Sequence, residues 1–200
     1  MRSGHRNKSR QHTGPSRRLC RPGVLGVVGF SLVEVLFALG LFLVLSGMAV
    51  PQLLASVDRS RARAAARFLA ARMALARSQA VARSQTVALR FARDAVGISL
   101  TAYVDGNGNG VRSRDIASGD DPELDPAVRL SDLFSGVVIS ELSVGSSGIM
   151  SFTPAGTATS GTVYIRGRDG TQYAVRVLGV TGRARVLRYD AAARTFSETF

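Results

Sequence analysis

The sequence predicts an α+β protein. A long N-terminal helix, membrane-spanning in its first half and amphipathic in its second, is expected to pack on a small antiparallel β head. Three observations predict this. An almost unbroken apolar run extends from Phe30 to Val50, close to the roughly 20 residues an α-helix needs to cross a bilayer. An alanine-rich stretch of helical periodicity follows, to about Gln85. From Thr86 onward the pattern changes to short apolar runs separated by Gly-rich turns, which reads as strands. A length of 200 residues accommodates one such domain with an appendage.

Composition divides the chain into a basic tract (1–29), the apolar half of the helix (30–56), its amphipathic half (57–85) and a β-rich head (86–200). The formal charge is +12, but Arg2, Arg6, Lys8, Arg10, Arg17, Arg18 and Arg21 all precede residue 30 with no acid among them, leaving +5 for the rest. Positive charge before an apolar run keeps that side cytoplasmic and sends the head across the membrane. The high pI is therefore largely a targeting feature. Cys20, His5 and His12 also lie in this tract, so a chain starting at Phe30 has no thiol or imidazole for disulfide, metal or general-base chemistry.

Glu34 is the misfit in the apolar run. A carboxylate near the start of a spanning segment costs on the order of 2.5–3.5 kcal/mol on insertion scales, so a partner is expected. Gly29 followed by Phe30-Ser31-Leu32-Val33-Glu34 resembles the processing site of type IV pilins and type II secretion pseudopilins. The resemblance implies a pilin-like fold. It also implies a prepilin peptidase that cuts between Gly29 and Phe30 and methylates the new amine of Phe30. Glu34 would pair with the N-terminal amine of a neighbouring subunit, removing the penalty of two unpaired charges in lipid. Pro51 stands where the family's long helix bends, and a helix-interior proline forfeits one backbone hydrogen bond.

Beyond Pro51 the apolar residues Val57, Ala64, Phe68, Ala71, Leu75 and Ala82 recur at helical spacing and predict the face turned to the head. Arg59, Arg63, Arg67 and Arg77 form one row on the remaining surface, and Arg61, Arg72 and Arg83 another. Strands are expected at 86–91 and 98–104, joined by a turn through Arg93-Asp94. A second set follows at 137–142, 149–152, 162–166, 173–177 and 184–189, with Asp169-Gly170 the clearest hairpin signal. The tail from Asp190 to Phe200 is either a further strand or frayed. The acidic stretch from Asp115 to Asp132 reads as a solvated loop.

Two motifs carry possible chemistry. Asp105, Asn107 and Asn109, followed by Gly110, open like an EF-hand calcium loop. Position twelve is Ile116 where a Glu is needed, Asp115 falls one residue short, and no flanking helices are expected. A turn built from Asn and Gly is the simpler reading; weak calcium binding, with Asp120, Asp121, Glu123 and Asp125 adding carboxylates nearby, is the alternative, and no other cofactor is expected. The run also resembles a loop of the GspH/FimT branch of minor pilins. Gly182-Arg183-Ala184-Arg185 resembles the C-terminal Gly-Arg-x-Arg motif through which FimT-like minor pilins bind DNA. From residue 160 on, seven arginines, Arg188 among them, face only Asp169, Asp190 and Glu198, a balance that can neutralise phosphates.

No P-loop, dinucleotide fingerprint or nucleophile with an activating partner supports an enzyme. The resemblance implies a minor pilin or pseudopilin in a bacterial inner membrane. Its head would be periplasmic and its partners other pilins and an inner-membrane assembly platform. A DNA-binding pilin and an unprocessed membrane-anchored domain are the alternatives.

Overall fold

The structure is a computed structural model that describes residues 29–145 and 147–198. The basic tract, including Cys20 and the two histidines, lies outside the described residues apart from Gly29. One helix, α1 (Leu32–Arg83), spans the predicted apolar and amphipathic halves. The described residues fall into two compact units that divide between Val44 and Leu45.

In the first unit α1 carries Leu32, Val33, Leu36, Phe37, Leu39, Leu41, Phe42 and Leu43, all exposed. This apolar stretch is long and apolar enough to cross a membrane, and none of it is buried within the chain.

In the second unit α1 is the spine of the core. Its buried face is Ala62, Ala65, Ala66, Leu69, Met73, Ala76 and Ala80. This corrects the stripe expected from sequence: Val57, Ala64, Ala71, Leu75 and Ala82 are exposed and Phe68 is half-buried. The helix is turned toward its alanines because the head comes very near. A Cβ at Gly167 would stand only 3.0 Å from the Cβ of Ala62, a separation that larger side chains could not tolerate.

Two antiparallel sheets flank the helix. The strands β1 (Val87–Arg93), β2 (Ile98–Val104), β3 (Glu123–Arg129) and β5 (Ile149–Phe152) form one, ordered β3-β2-β1-β5. The other contains β4 (Val138–Val144), β6 (Gly161–Arg166), β7 (Gln172–Leu178), β8 (Arg183–Asp190) and β9 (Thr195–Glu198), ordered β4-β6-β7-β8-β9. Residues of both sheets meet the helix in one core: Val87, Leu89, Phe91 and Leu100 from the first, Val163, Ile165, Val175 and Val177 from the second. The β1–β2 hairpin and the β6–β7 turn at Asp169-Gly170 form as expected, with Gly170 at φ +82°.

Three features differ from the sequence reading, and the tail takes the first of its two alternatives. The segment 149–152 leaves the second set and pairs with β1. The acidic stretch contains β3, an edge strand. Its Pro126 falls where the register with β2 slips, a position where a missing N–H costs no ladder bond. Two short helices, α2 (Ser113–Ser118) and α3 (Leu130–Leu133), also interrupt that stretch. The tail contains the strand β9, and Phe196 on it packs against Tyr164 and Tyr189 at ring-centroid distances of 5.6 and 5.2 Å.

Candidate functional site

Three places carry the residues singled out from sequence. At the start of α1, Gly29 and Phe30 lie ahead of the helix and are exposed, Phe30 to 80 %. Ser31 caps the helix: its Oγ accepts the amide of Glu34 at 3.2 Å and its carbonyl accepts the amide of Val35 at 3.2 Å. Ser31-x-x-Glu34 has the spacing of a capping box, in which an acid at the third helical position also favours the positive helix end. Glu34 sits in a shallow groove among Phe30, Val35, Ala38, Leu39 and Phe42. Pro51 stands within α1, near the end of its apolar half.

The second place is the turn before β8. Gly182 is buried at φ +60°, and a Cβ there would come within 2.4 Å of the Gly156 carbonyl oxygen and 3.0 Å of Arg77. That carbonyl accepts Nε of Arg77 at 2.9 Å. Gly182 therefore serves packing: it lets two loops and one helical arginine meet. Beyond it, side chains alternate between the two faces of β8. Arg183 and Arg185 are exposed, and Ala184 and Val186 pack on the core. Arg185 stands directly opposite Arg176 of β7, a like-charge pairing that weakens a sheet unless an anion compensates. Nη1 of Arg185 reaches Oε1 of Glu198 at 2.5 Å. Arg188 does not join them. It takes the helix-facing side of β8 and lines a recess with Ser56, Arg59, Ser60 and Tyr173. Arg176 is the cation that sequence spacing missed; only the cross-strand register reveals it.

The third place is the loop from Asp105 to Asp121. It packs on the outer face of the first sheet through Val111 and Ile116, which meet Ala88, Ile149 and Tyr103. Three carboxylates are nearly inaccessible: Asp105 at 5 %, Asp115 at 3 % and Asp121 at 1 %. The oxygens of Asp105 accept the amides of Gly108 and Gly110, both at 2.7 Å. Those of Asp121 accept the amides of Gly106 at 3.2 Å and Arg112 at 3.0 Å. The turn reading thus holds for Asp105, while α2 supplies the flanking helix that sequence did not foresee. Burial pushes the Asp115 carboxyl up, but the Arg114 guanidinium and the side-chain amides of Asn109 and Asn107 outweigh it and hold the group below the usual carboxylate range.

A family model described as "Type II transport protein GspH" matches residues 65–182, more than half of the chain. The chain belongs to the GspH family. The match takes in the buried half of α1 and most of the head, and it ends at Gly182, just before Arg183. Among solved structures, the minor pseudopilin EpsH from the type 2 secretion system of Vibrio cholerae aligns at 17 % identity and a TM-score of 0.47. The alignment covers 64 % of this chain and 97 % of that one, a likeness too distant to transfer the role of any residue. No match was found among curated proteins.

Proposed function

We propose that this GspH-family chain is a minor pseudopilin, matured by a prepilin peptidase and built into a type II secretion pseudopilus. The observation that carries the reading is the family match over the head, joined to an apolar helical segment with no cover inside the chain. In this reading the segment after Phe30 holds the subunit in the inner membrane, with the basic tract cytoplasmic and the head periplasmic. Assembly moves the same surface from lipid to neighbouring helices. The peptidase cuts between Gly29 and Phe30, both exposed ahead of the Ser31 cap, and Phe30 is then N-methylated. Glu34 docks on the N-terminal amine of the adjacent subunit; pairing removes two charges from an apolar medium at once. Pro51 loosens the helix near the end of its apolar half by the hydrogen bond it cannot make. The partners are other pseudopilins and an inner-membrane assembly platform.

Intact mass and N-terminal sequencing, with and without the peptidase, test the reading. A chain beginning at methylated Phe30 only when the peptidase is present is the expected result. Residues before Phe30 in both strains would leave an unprocessed anchored domain instead. Glu34→Ala is expected to abolish cross-linking to neighbouring subunits while leaving the head folded.

The Arg176–Arg185 pair favours a second reading, in which the outer face of the second sheet binds DNA through Arg183 and Arg185 after the buried Gly182. Gel-shift assays on Arg183→Glu/Arg185→Glu separate the two: lost DNA binding with intact secretion supports the receptor, lost secretion the structural subunit.

A further inference from the structure

Where α1 enters the head, the second unit sets cations beside an apolar surface. Leu53, Leu54 and Val57 are exposed, and Arg59, Arg61 and Arg63 follow directly. Arg61 is matched within the helix by Asp58, whose Oδ1 accepts its Nη1 at 3.2 Å. Arg59 and Arg63 instead line a recess of about 310 Å³, together with Arg188 of β8 and the hydroxyl-bearing Ser56, Ser60 and Tyr173. Among the described residues no carboxylate lines it.

The acids nearby are committed to their own turns. Asp190 spends its Oδ1 on the amides of Ala192 and Ala193, at 2.9 and 3.4 Å. Asp169 accepts the amide of Thr171 at 3.1 Å and the Thr171 hydroxyl as well. It stands 3.6 Å from Nε of Arg59, a loose pair whose arginine side chain is 64 % exposed. Arg188 has neither an ion pair nor a hydrogen bond among the described residues. Tyr173 adds an independent sign of a ligand. It is only 4 % exposed, yet among the described residues its hydroxyl has no hydrogen-bond partner. A buried hydroxyl left in that state is costly, and an anion in the recess would accept from it.

Guanidinium forks and hydroxyl donors suit a phosphate. The volume is at the low end of small-molecule pockets, room for a headgroup. Position along α1 names the source. Arg59 is five residues beyond Leu54, about 7.5 Å along the helix, and the headgroup layer is about 5–8 Å thick on each face of a bilayer. With the apolar half anchored in lipid, as proposed above and on which this site rests, the recess opens at headgroup depth.

We propose that this recess binds the phosphate of one anionic phospholipid with an uncharged headgroup, such as phosphatidylglycerol. Arg59 and Arg188 clamp the phosphate, the hydroxyls of Tyr173, Ser56 and Ser60 donate to it, and the acyl chains lie beside Leu53 and Leu54. A zwitterionic lipid carries an ammonium into the same cluster of arginines and is disfavoured. The lipid holds the head against the membrane until assembly draws the subunit out.

The test uses the full chain in neutral detergent, offered equal amounts of phosphatidylglycerol and phosphatidylcholine, with bound lipid counted by native mass spectrometry. One phosphatidylglycerol per chain is expected, preferred about tenfold and less so at high salt. Arg59→Gln/Arg188→Gln should bring the two lipids to parity. Tyr173→Phe should weaken the preference about threefold and remains informative if the double variant misfolds. Arg93→Gln, an exposed arginine on β1, should leave the preference unchanged. Parity in the native chain overturns the proposal, as does inorganic phosphate binding as tightly as the lipid. Undiminished preference in the double variant also overturns it; if that variant has lost cross-linking to neighbouring subunits, the arginines serve an acidic protein face instead. Membrane fractionation reads the anchor separately. A chain retained in membranes without lipid preference sinks the headgroup site alone, and a chain in the soluble fraction overturns both readings.

Discussion

The two halves of α1 invert the usual link between side-chain size and burial. From Leu32 to Val44 the residues are mostly Leu, Val and Phe, and all are exposed. From Ala62 to Ala80 the buried face is chiefly alanine, with Leu69 and Met73 as the large members. The chain core thus tolerates only small residues along most of the helix, because two sheets crowd it. The large apolar residues find no place inside the chain and need an outside apolar phase, lipid or neighbouring helices. Hydrophobicity alone says that a segment leaves water; packing space says where it goes.

Substitutions can break that contrast at chosen points. The largest effect is expected from Leu69→Ala, which opens a cavity in the core and should cost about 2–5 kcal/mol of head stability. Leu41→Ala, in the exposed half, should leave the denaturant midpoint of the head unchanged while weakening retention in membranes on fractionation. Gly182→Ala comes next, at about 2–4 kcal/mol, since it combines a left-handed backbone with overlap on the Gly156 carbonyl. Gly40→Ala meets nothing within 4 Å and should leave thermal unfolding unaltered. Ala65→Leu probes the crowding directly. Overfilling that buried position should cost about 1–3 kcal/mol, whereas Ala64→Leu on the exposed side should be near neutral, both read by urea unfolding.

The smallest effect lies at the β1–β2 turn. A hydrogen bond from the Arg129 guanidinium, then the amides of Val96 and Gly97, hold Asp94 below the usual Asp range. The stability this adds is fully present above about pH 3.9 and is lost as pH falls through the depressed value. Asp94→Asn should therefore flatten the acid end of a Tm-against-pH profile, and only modestly, because the pair is partly exposed. An unchanged profile would remove the pair from the stability account.

Much of this was legible in sequence because it depends on pattern. The apolar run, the change from helical to strand spacing at residue 86 and seven of the nine strands among the described residues could be read directly. What escaped depends on neighbours distant in the chain. Helical spacing alone puts Val57, Ala64, Phe68, Ala71, Leu75 and Ala82 on the buried stripe of α1, whereas proximity to Gly167 selects a different face, that of Ala62, Ala65 and Ala66. β3 was hidden by Pro126 and its acids, which an edge strand accepts. Arg188 and Arg176 exchanged places in the basic surface, since face and register, rather than closeness in sequence, decide which cations share a surface. In sequence Asp115 reads as part of a solvated loop, and only α2 shows it buried.

Three arginines of α1 have a mechanical consequence. Arg59 pairs with Asp169 in the β6–β7 turn at 3.6 Å, Arg72 with Asp125 on β3 at 3.3 Å, and Arg77 with the Gly156 carbonyl at 2.9 Å. These attachments stand at successive heights along one rod and reach three separate parts of the head. A pull along the rod would load them side by side, as rivets in shear, instead of opening them one after another like a zip. Resistance to such a pull is a matter of rupture rate more than of equilibrium stability. Removing one rivet would thus shorten the lifetime under tension far more than it lowers the melting temperature.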